Sequence, residues 1–186
     1  MNVSQLSTRT YNVFVNRLIK RSLQTSSILN MPAQVGDSLP NVDLYEDSPT
    51  NKVNLAQLAA NKKIIIFAVP GAFTPGCSKT HLPGFVKRAE ELKKQGISEI
   101  VCVSVNDPFV MAAWAKDQHT AGKVRLLADP SAAFTKALDL AVELNPLGGV
   151  RSKRYSMVVE NGKIISLQIE PDGTGLSCSL AGAIKL

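Results

Sequence analysis

From about residue 33 onward the apolar positions form two alternating kinds of run, one at strand spacing and one at helix spacing. Ile64, Ile65, Ile66, Phe67, Ala68 and Val69 follow one another without a polar break, which predicts a buried strand. Phe85, Ala89 and Leu92 then recur at helical spacing, so a helix follows the strand. A second apolar run covers residues 100–105. After it, Asp107 and Pro108 read as the N-cap and first residue of a helix reaching about Gln118. Residues 124–127 predict a short strand, and Asp129 with Pro130 repeats the cap signature for a helix reaching about Leu140. Residues 155–160 and 163–170 alternate about Asn161-Gly162, a two-residue turn pair, and predict a β-hairpin. Strands joined by helices pair in parallel, and the late hairpin adds antiparallel strands. The pattern therefore predicts an α/β protein with a mixed central sheet flanked by helices. Pro83 falls inside the first helical run and predicts a kink or a loosened first turn.

Composition changes this picture little. A chain of 186 residues, 45% hydrophobic, supports one domain with one good core, and no apolar run approaches the roughly 18 residues of a membrane span. The formal charge of +6 suggests a polyanionic partner until its distribution is considered. The first acidic residue is Asp37, and Arg9, Arg17, Lys20 and Arg21 precede it. That leaves 17 basic against 15 acidic residues in the remainder, a net of +2 and no footprint for nucleic acid. The front segment, residues 1–30, has arginines, many Ser and Thr, no acids, and Tyr11, Phe14, Val15, Leu18 and Ile19 on one helical face. This is the composition of a mitochondrial transit peptide, with the globular domain over residues 31–186. Met31 offers a second start for a cytoplasmic form. The final Ile184-Lys185-Leu186 matches a peroxisomal tripeptide except for its bulky first residue.

Chemistry concentrates at Cys77. Thr74 suits an N-cap and Pro75 the first helical position, which places Cys77 in the first turn, facing unpaired N–H groups and the positive end of the helix. That setting favours thiolate over thiol and makes a nucleophile. Three cysteines, at 77, 102 and 178, do not read as a disulfide framework and suit a reducing compartment. Cys102 lies in an alternating apolar strand and reads as a small buried hydrophobe. Cys77 and His81 are four apart, a spacing open to a metal pair or a nucleophile with its base. With only two histidines and no further ligand cluster, no metal site is expected. His119 reads as a solvent-facing residue near a helix end.

The string Pro70-Gly71-Ala72-Phe73-Thr74-Pro75-Gly76-Cys77 resembles the active site of the peroxiredoxins. The flanking Ser78-Lys79-Thr80-His81-Leu82-Pro83-Gly84-Phe85 narrows the resemblance to the peroxiredoxin 5 type. Val103-Ser104-Val105-Asn106-Asp107, the stretch from Val124 to Pro130, and Glu170-Pro171-Asp172-Gly173-Thr174-Gly175-Leu176 resemble that type too. The match runs from about Val35 to Leu180 and is loosest over residues 141–153. It implies a thioredoxin-like fold, no cofactor, and thiol-dependent reduction of hydroperoxides with thioredoxin as reductant. Neither nucleic acid nor membrane is implied as a partner, and monomer and homodimer both stay open. It implies Cys77 as the attacking thiolate, Thr74 as a hydroxyl donor to the thiolate or the bound peroxide, and Pro70 closing the pocket against water. Arg154 is implied as the cation beside the sulfur, with Arg151 and Lys153 read as solvated surface. Cys178 is implied as the resolving cysteine, carried on a mobile Gly-rich loop and well separated from Cys77 when reduced. Two other readings share parts of this signature. A disulfide oxidoreductase would need a cysteine where Thr74 stands, and a redox-sensing binding protein would differ from a peroxidase only in rate.

Overall fold

The computed structural model describes residues 31–186, and Pro32–Leu186 form one unit. The transit peptide expected over residues 1–30 lies outside the described residues. The elements in chain order are β1 (Asp43–Tyr45), β2 (Lys52–Asn54), α1 (Leu55–Leu58) and β3 (Lys63–Val69). A π-turn (Cys77–His81) then runs into α2 (Leu82–Lys94), followed by β4 (Glu99–Ser104), α3 (Pro108–Asp117), β5 (Arg125–Ala128) and α4 (Ala133–Ala137). The chain continues through β6 (Ala141–Leu144), β7 (Gly149–Ser152), β8 (Tyr155–Glu160) and β9 (Lys163–Ile169).

Seven strands form one sheet in the order β2-β1-β5-β4-β3-β8-β9. Strands β3, β4 and β5 are parallel, whereas β8 runs antiparallel to β3, and β9 to β8. The expected mixed sheet is thus observed, and the uninterrupted run in β3 has its cause: both faces are covered. Ile64, Ile66 and Ala68 pack into one apolar layer with Leu127, Phe134, Tyr155 and Met157. Ile65, Phe67 and Val69 alternate onto the other, with Phe85, Leu92, Met111 and Trp114 of α2 and α3. Cys77 belongs to this second layer.

Local signals hold with two changes. Asp107 caps α3 as expected, its carboxylate accepting from Phe109 N and Val110 N at 2.9 Å. Asp129 does not stand at the N-cap of α4, which starts later, after Ala132, and ends at Ala137 instead of near Leu140. Its buried carboxylate still reaches forward to accept from Phe134 N at 3.3 Å and Thr135 N at 2.8 Å, so the capping chemistry survives from a more distant position. Asn161 and Gly162 both take positive φ (51° and 76°), the two-residue turn that the hairpin requires. The loosely matching stretch 141–153 forms a separate two-stranded hairpin, β6–β7, about Asn145–Leu147.

Candidate active site

Strand β3 delivers the chain to the site. Beyond Val69, buried Pro70 turns it into a loop in which Phe73 adopts a left-handed φ of 61° and stays largely exposed, its ring centroid 6.4 Å from that of Trp114. Asn106, just past the end of β4, holds this loop from behind: its Oδ1 accepts from Ala72 N at 3.0 Å and from the Ser104 hydroxyl at 2.7 Å. Helical backbone starts at Pro75, and Ser78 N bonds back to Thr74 O at 2.9 Å. Cys77 therefore occupies the first turn, where N–H groups lack intrahelical acceptors. Thr74, expected to cap that turn with its side chain or to donate to the thiolate or peroxide, donates its hydroxyl to Gly71 O at 3.0 Å instead. Its oxygen keeps free acceptor capacity.

The turn after Cys77 is wide. Leu82 N bonds to Cys77 O, five residues back, before the regular spacing of α2 resumes. Lacking an N–H, Pro83 cannot bond the Lys79 carbonyl four residues back, and the wide turn lies where that regular bond is missing. His81 (φ −68°, ψ −62°) and Leu82 (φ −61°, ψ −47°) both keep helical backbone angles.

Arg154 reaches the sulfur through sheet register. Tyr155 opens β8 opposite Ala68, so Arg154 sits beside the end of β3, next to the Cys77 turn. The residue is only 4% exposed, and its Nη1 lies 3.4 Å from Cys77 Sγ, itself fully buried. Nε donates to Thr174 O at 3.1 Å. Nη1 also faces His81 Nδ1 at 3.3 Å, and His81 Nε2 lies 3.0 Å from Ser179 O. A guanidinium can only donate, so Nδ1 accepts and the imidazole carries its proton on Nε2, donating to Ser179. Burial, opposed by the Ser179 hydrogen bond and aided by the Arg154 charge, pushes His81 down to about 4. The ring stays neutral, packed edge-on against Phe67 and Phe85 at 5.0 and 5.5 Å. His81 therefore orients the arginine and is not placed as a base for Cys77.

Arg151 departs from the solvated reading. It is half-buried and donates to Val105 O at 2.7 Å and to Leu147 O, tying the β6–β7 hairpin to the end of β4. Lys153 is also half-buried, its stem 3.4 Å from where a side chain on Gly173 would project. Cys102, on β4 opposite Phe67, is fully buried; burial, with Cys77 nearby, pushes its thiol well up and keeps it protonated. His119 is exposed. Among the described residues no group of three His, Cys, Asp or Glu could hold a metal ion, and no helix is long and apolar enough to cross a membrane.

Cys178 lies in the segment after β9, half-buried, with Sγ donating to Ile169 O at 3.4 Å. All three cysteines are free thiols. The loop before Cys178 is less loose than its glycines suggest, because Asp172 Oδ1 accepts from Thr174 N at 2.8 Å and Gly175 N at 2.5 Å. Glu170, 1% exposed, accepts from the backbone and hydroxyls on either side of Cys178. Burial alone would raise this carboxyl, but the hydrogen bonds from Ser177 and Ser179 outweigh it and hold Glu170 down at about 2. Asn106 and His81 as supports of the Cys77 site, and Glu170 as the anchor of the Cys178 segment, escape sequence reasoning. The signals were the four-residue spacing of His81 from Cys77, an acid closing the alternating run 163–170, and the family-like stretches that contain Asn106 and Glu170.

Comparison with known proteins agrees with this geometry. The Redoxin family model matches residues 34–183. Peroxiredoxin-2C of Oryza sativa subsp. japonica is 45% identical over 146 residues, covering 76% of this chain and 90% of that protein. Among solved structures, reduced Prx3 of Vibrio vulnificus in complex with hydrogen peroxide aligns with a TM-score of 0.76 at 42% identity, covering 81% of this chain and 96% of that one. Peroxiredoxin 5 of Alvinella pompejana gives 0.71 at 42%, covering 79% and 96%. The chain belongs to the peroxiredoxin family, of the peroxiredoxin 5 type, on a thioredoxin-like α/β fold. It is accordingly a peroxidase, an oxidoreductase acting on peroxide through thiol chemistry.

Proposed function

We propose that the protein reduces hydrogen peroxide and alkyl hydroperoxides, peroxynitrite included, at Cys77, and that thioredoxin restores it. The Cys77 thiolate attacks the distal peroxide oxygen. The O–O bond breaks, sulfur is oxidised to the sulfenic acid, and the other oxygen leaves as alcohol or water once protonated, or as nitrite from peroxynitrite. Arg154 Nη1, 3.4 Å from the sulfur in a buried site, is the observation supporting this most. A fixed guanidinium there stabilises both the thiolate and the negative charge that grows on the departing oxygen. Thr74, with its proton engaged by Gly71, accepts the hydroperoxide O–H and aligns the substrate. Pro70 closes the strand side of the pocket.

In the second half-reaction Cys178 loses its proton and attacks the sulfenic sulfur. The S–S bond forms as the S–O bond breaks, and the oxygen leaves with the proton as water. Thioredoxin then reduces the intramolecular disulfide. NADPH consumption driven by hydroperoxide, coupled through thioredoxin and its reductase, tests the whole cycle. Mass spectrometry after one equivalent of peroxide tests the pairing, for which a Cys77–Cys102 link or only intermolecular links would refute the scheme. Residues 1–30 direct the protein to mitochondria, where the N-terminus of the processed form falls within a few residues of Met31. Recovery of intact precursor alone from the organelle would contradict that.

A further inference from the structure

The segment around Cys178 is fastened to a single side chain. Glu170 Oε1 accepts from the backbone N–H groups of Ser177, Cys178 and Ser179 at 2.8, 3.0 and 2.9 Å, and from the Ser179 hydroxyl at 2.7 Å. Oε2 accepts from the Ser177 hydroxyl at 2.6 Å. Three consecutive N–H groups on one carboxylate fix the backbone direction at Cys178, and the thiol is turned to Ile169 O. Cys77, by contrast, is wholly buried under Arg154. A disulfide requires Cα atoms within about 7 Å and defined Cβ directions. In the reduced arrangement the Cys178 thiol thus faces Ile169 O while the Cys77 sulfur faces Arg154, so pairing requires each to leave its present contacts.

A second tether comes from the other partner. His81, the last residue of the Cys77 turn, donates from Nε2 to Ser179 O at 3.0 Å. Unwinding that turn to bring the oxidised sulfur outward breaks this bond as a matter of geometry. The Glu170 contacts are made to residues 177–179 and none of them to the Cys77–His81 turn.

We propose that Glu170 is a latch for the resolving step: its carboxylate holds residues 177–179 in the reduced arrangement and sets the rate at which Cys178 reaches the oxidised Cys77. The proposal rests on the reading of Cys77 and Cys178 as the reacting pair. Glu170 is a positioning residue, since its side chain touches neither sulfur nor the peroxide pocket. Hydrogen bonds to a charged acceptor are individually strong, so the latch delays resolution and lengthens the life of the sulfenic acid, exposing it to a second peroxide.

The test compares wild type, Glu170→Gln and Ser177→Ala in single turnovers with one equivalent of hydrogen peroxide, quenched with an alkylating reagent and read by mass spectrometry. Disulfide formation between Cys77 and Cys178 is expected to accelerate about tenfold in Glu170→Gln and about threefold in Ser177→Ala, as charge-assisted hydrogen bonds are weakened or lost. The sulfinic fraction of Cys77 under excess peroxide should fall in the same order, while the first-step rate of peroxide consumption stays at the wild-type value. A general loss of structure would slow the first step and is separated by that readout. Ser177 is exposed and its alanine variant removes one hydroxyl, so it carries the test if Glu170→Gln does not fold. Unchanged or slower disulfide formation in Ser177→Ala, with wild type forming the Cys77–Cys178 bond normally, overturns the latch alone. Absence of that bond in wild type overturns the pairing and the latch together.

Discussion

Cys77 and Cys178, the pair proposed to react, are held by different forces. Cys77 sits in a helical turn whose neighbours are Phe67, Phe85 and Leu82, all wholly buried, in an apolar layer continuous with the sheet. Cys178 stands on a segment held by hydrogen bonds, five of them to one carboxylate. Apolar packing releases a side chain only by opening a void, whereas a polar contact can be exchanged for water one bond at a time. In the proposed cycle the attacking sulfur is thus fixed in place, and Cys178 stands on a segment held by exchangeable polar contacts. Leu176 joins the two regions: its Cδ1 and Arg154 Nη2 lie 3.2 and 3.3 Å from where a Gly76 side chain would project.

The largest effect is expected at the sulfur. Cys77→Ser should abolish hydroperoxide reduction and leave circular dichroism and melting unchanged, since oxygen for sulfur alters volume little; substantial surviving turnover would sink the assignment. Next comes the pair of arginines three residues apart. Arg154→Met should lower kcat/KM by about 10²–10³, the scale for losing one preorganised donor at a developing charge. It should also slow alkylation of Cys77 at neutral pH. Arg151→Ala should cost about 1–2 kcal/mol of stability by freeing two carbonyls, with turnover close to wild type. Denaturant unfolding and steady-state kinetics on both variants decide the contrast, and a larger kinetic defect in Arg151→Ala would reverse it.

Acid should loosen the two regions in separate windows. Unfolded His81 binds a proton near pH 6.5, but in the fold it does so only near 4. Between those values the unfolded chain carries more protons, so stability falls as pH drops, by about 3 kcal/mol for a shift of this size. Glu170 responds lower: its carboxyl titrates near 2 in the fold against an ordinary 4.5, so its contribution disappears as pH falls through that interval. Urea unfolding at a series of pH values should show both losses. His81→Phe should flatten the upper one and Glu170→Gln the lower; a curve flat from pH 7 to 4 would contradict the buried neutral imidazole. The smallest change is Gly76→Ala. With φ at −64° the backbone accepts alanine, so only the crowding of Arg154 and Leu176 acts, and a few-fold loss in kcat/KM without loss of stability is expected.

Much of this protein could be read before any coordinates. The apolar run ending at Val69, the Asp107 cap and the Asn161-Gly162 turn are local signals, governed by periodicity and backbone chemistry within a few residues, and each appears where expected. Cys77 in a first helical turn was equally local. The cap at Asp129 was legible as chemistry but misplaced by several residues, because its carboxylate acts across a turn whose shape depends on packing.

What lay beyond reach of pattern was every contact made between distant segments. Arg154 was separable from Arg151 only by likeness to a family; register against β3 is what brings one guanidinium to the sulfur and the other to the Val105 carbonyl. His81 offered a spacing suited to a metal or a base, and its partners, Arg154 and Ser179, lie 73 and 98 residues away. Glu170 stood in a stretch resembling the family, but nothing in the pattern showed what it binds. A buried charge is tolerable only where donors converge on it, and that convergence exists only once the last strand is docked and residues 177–179 fold back over its end.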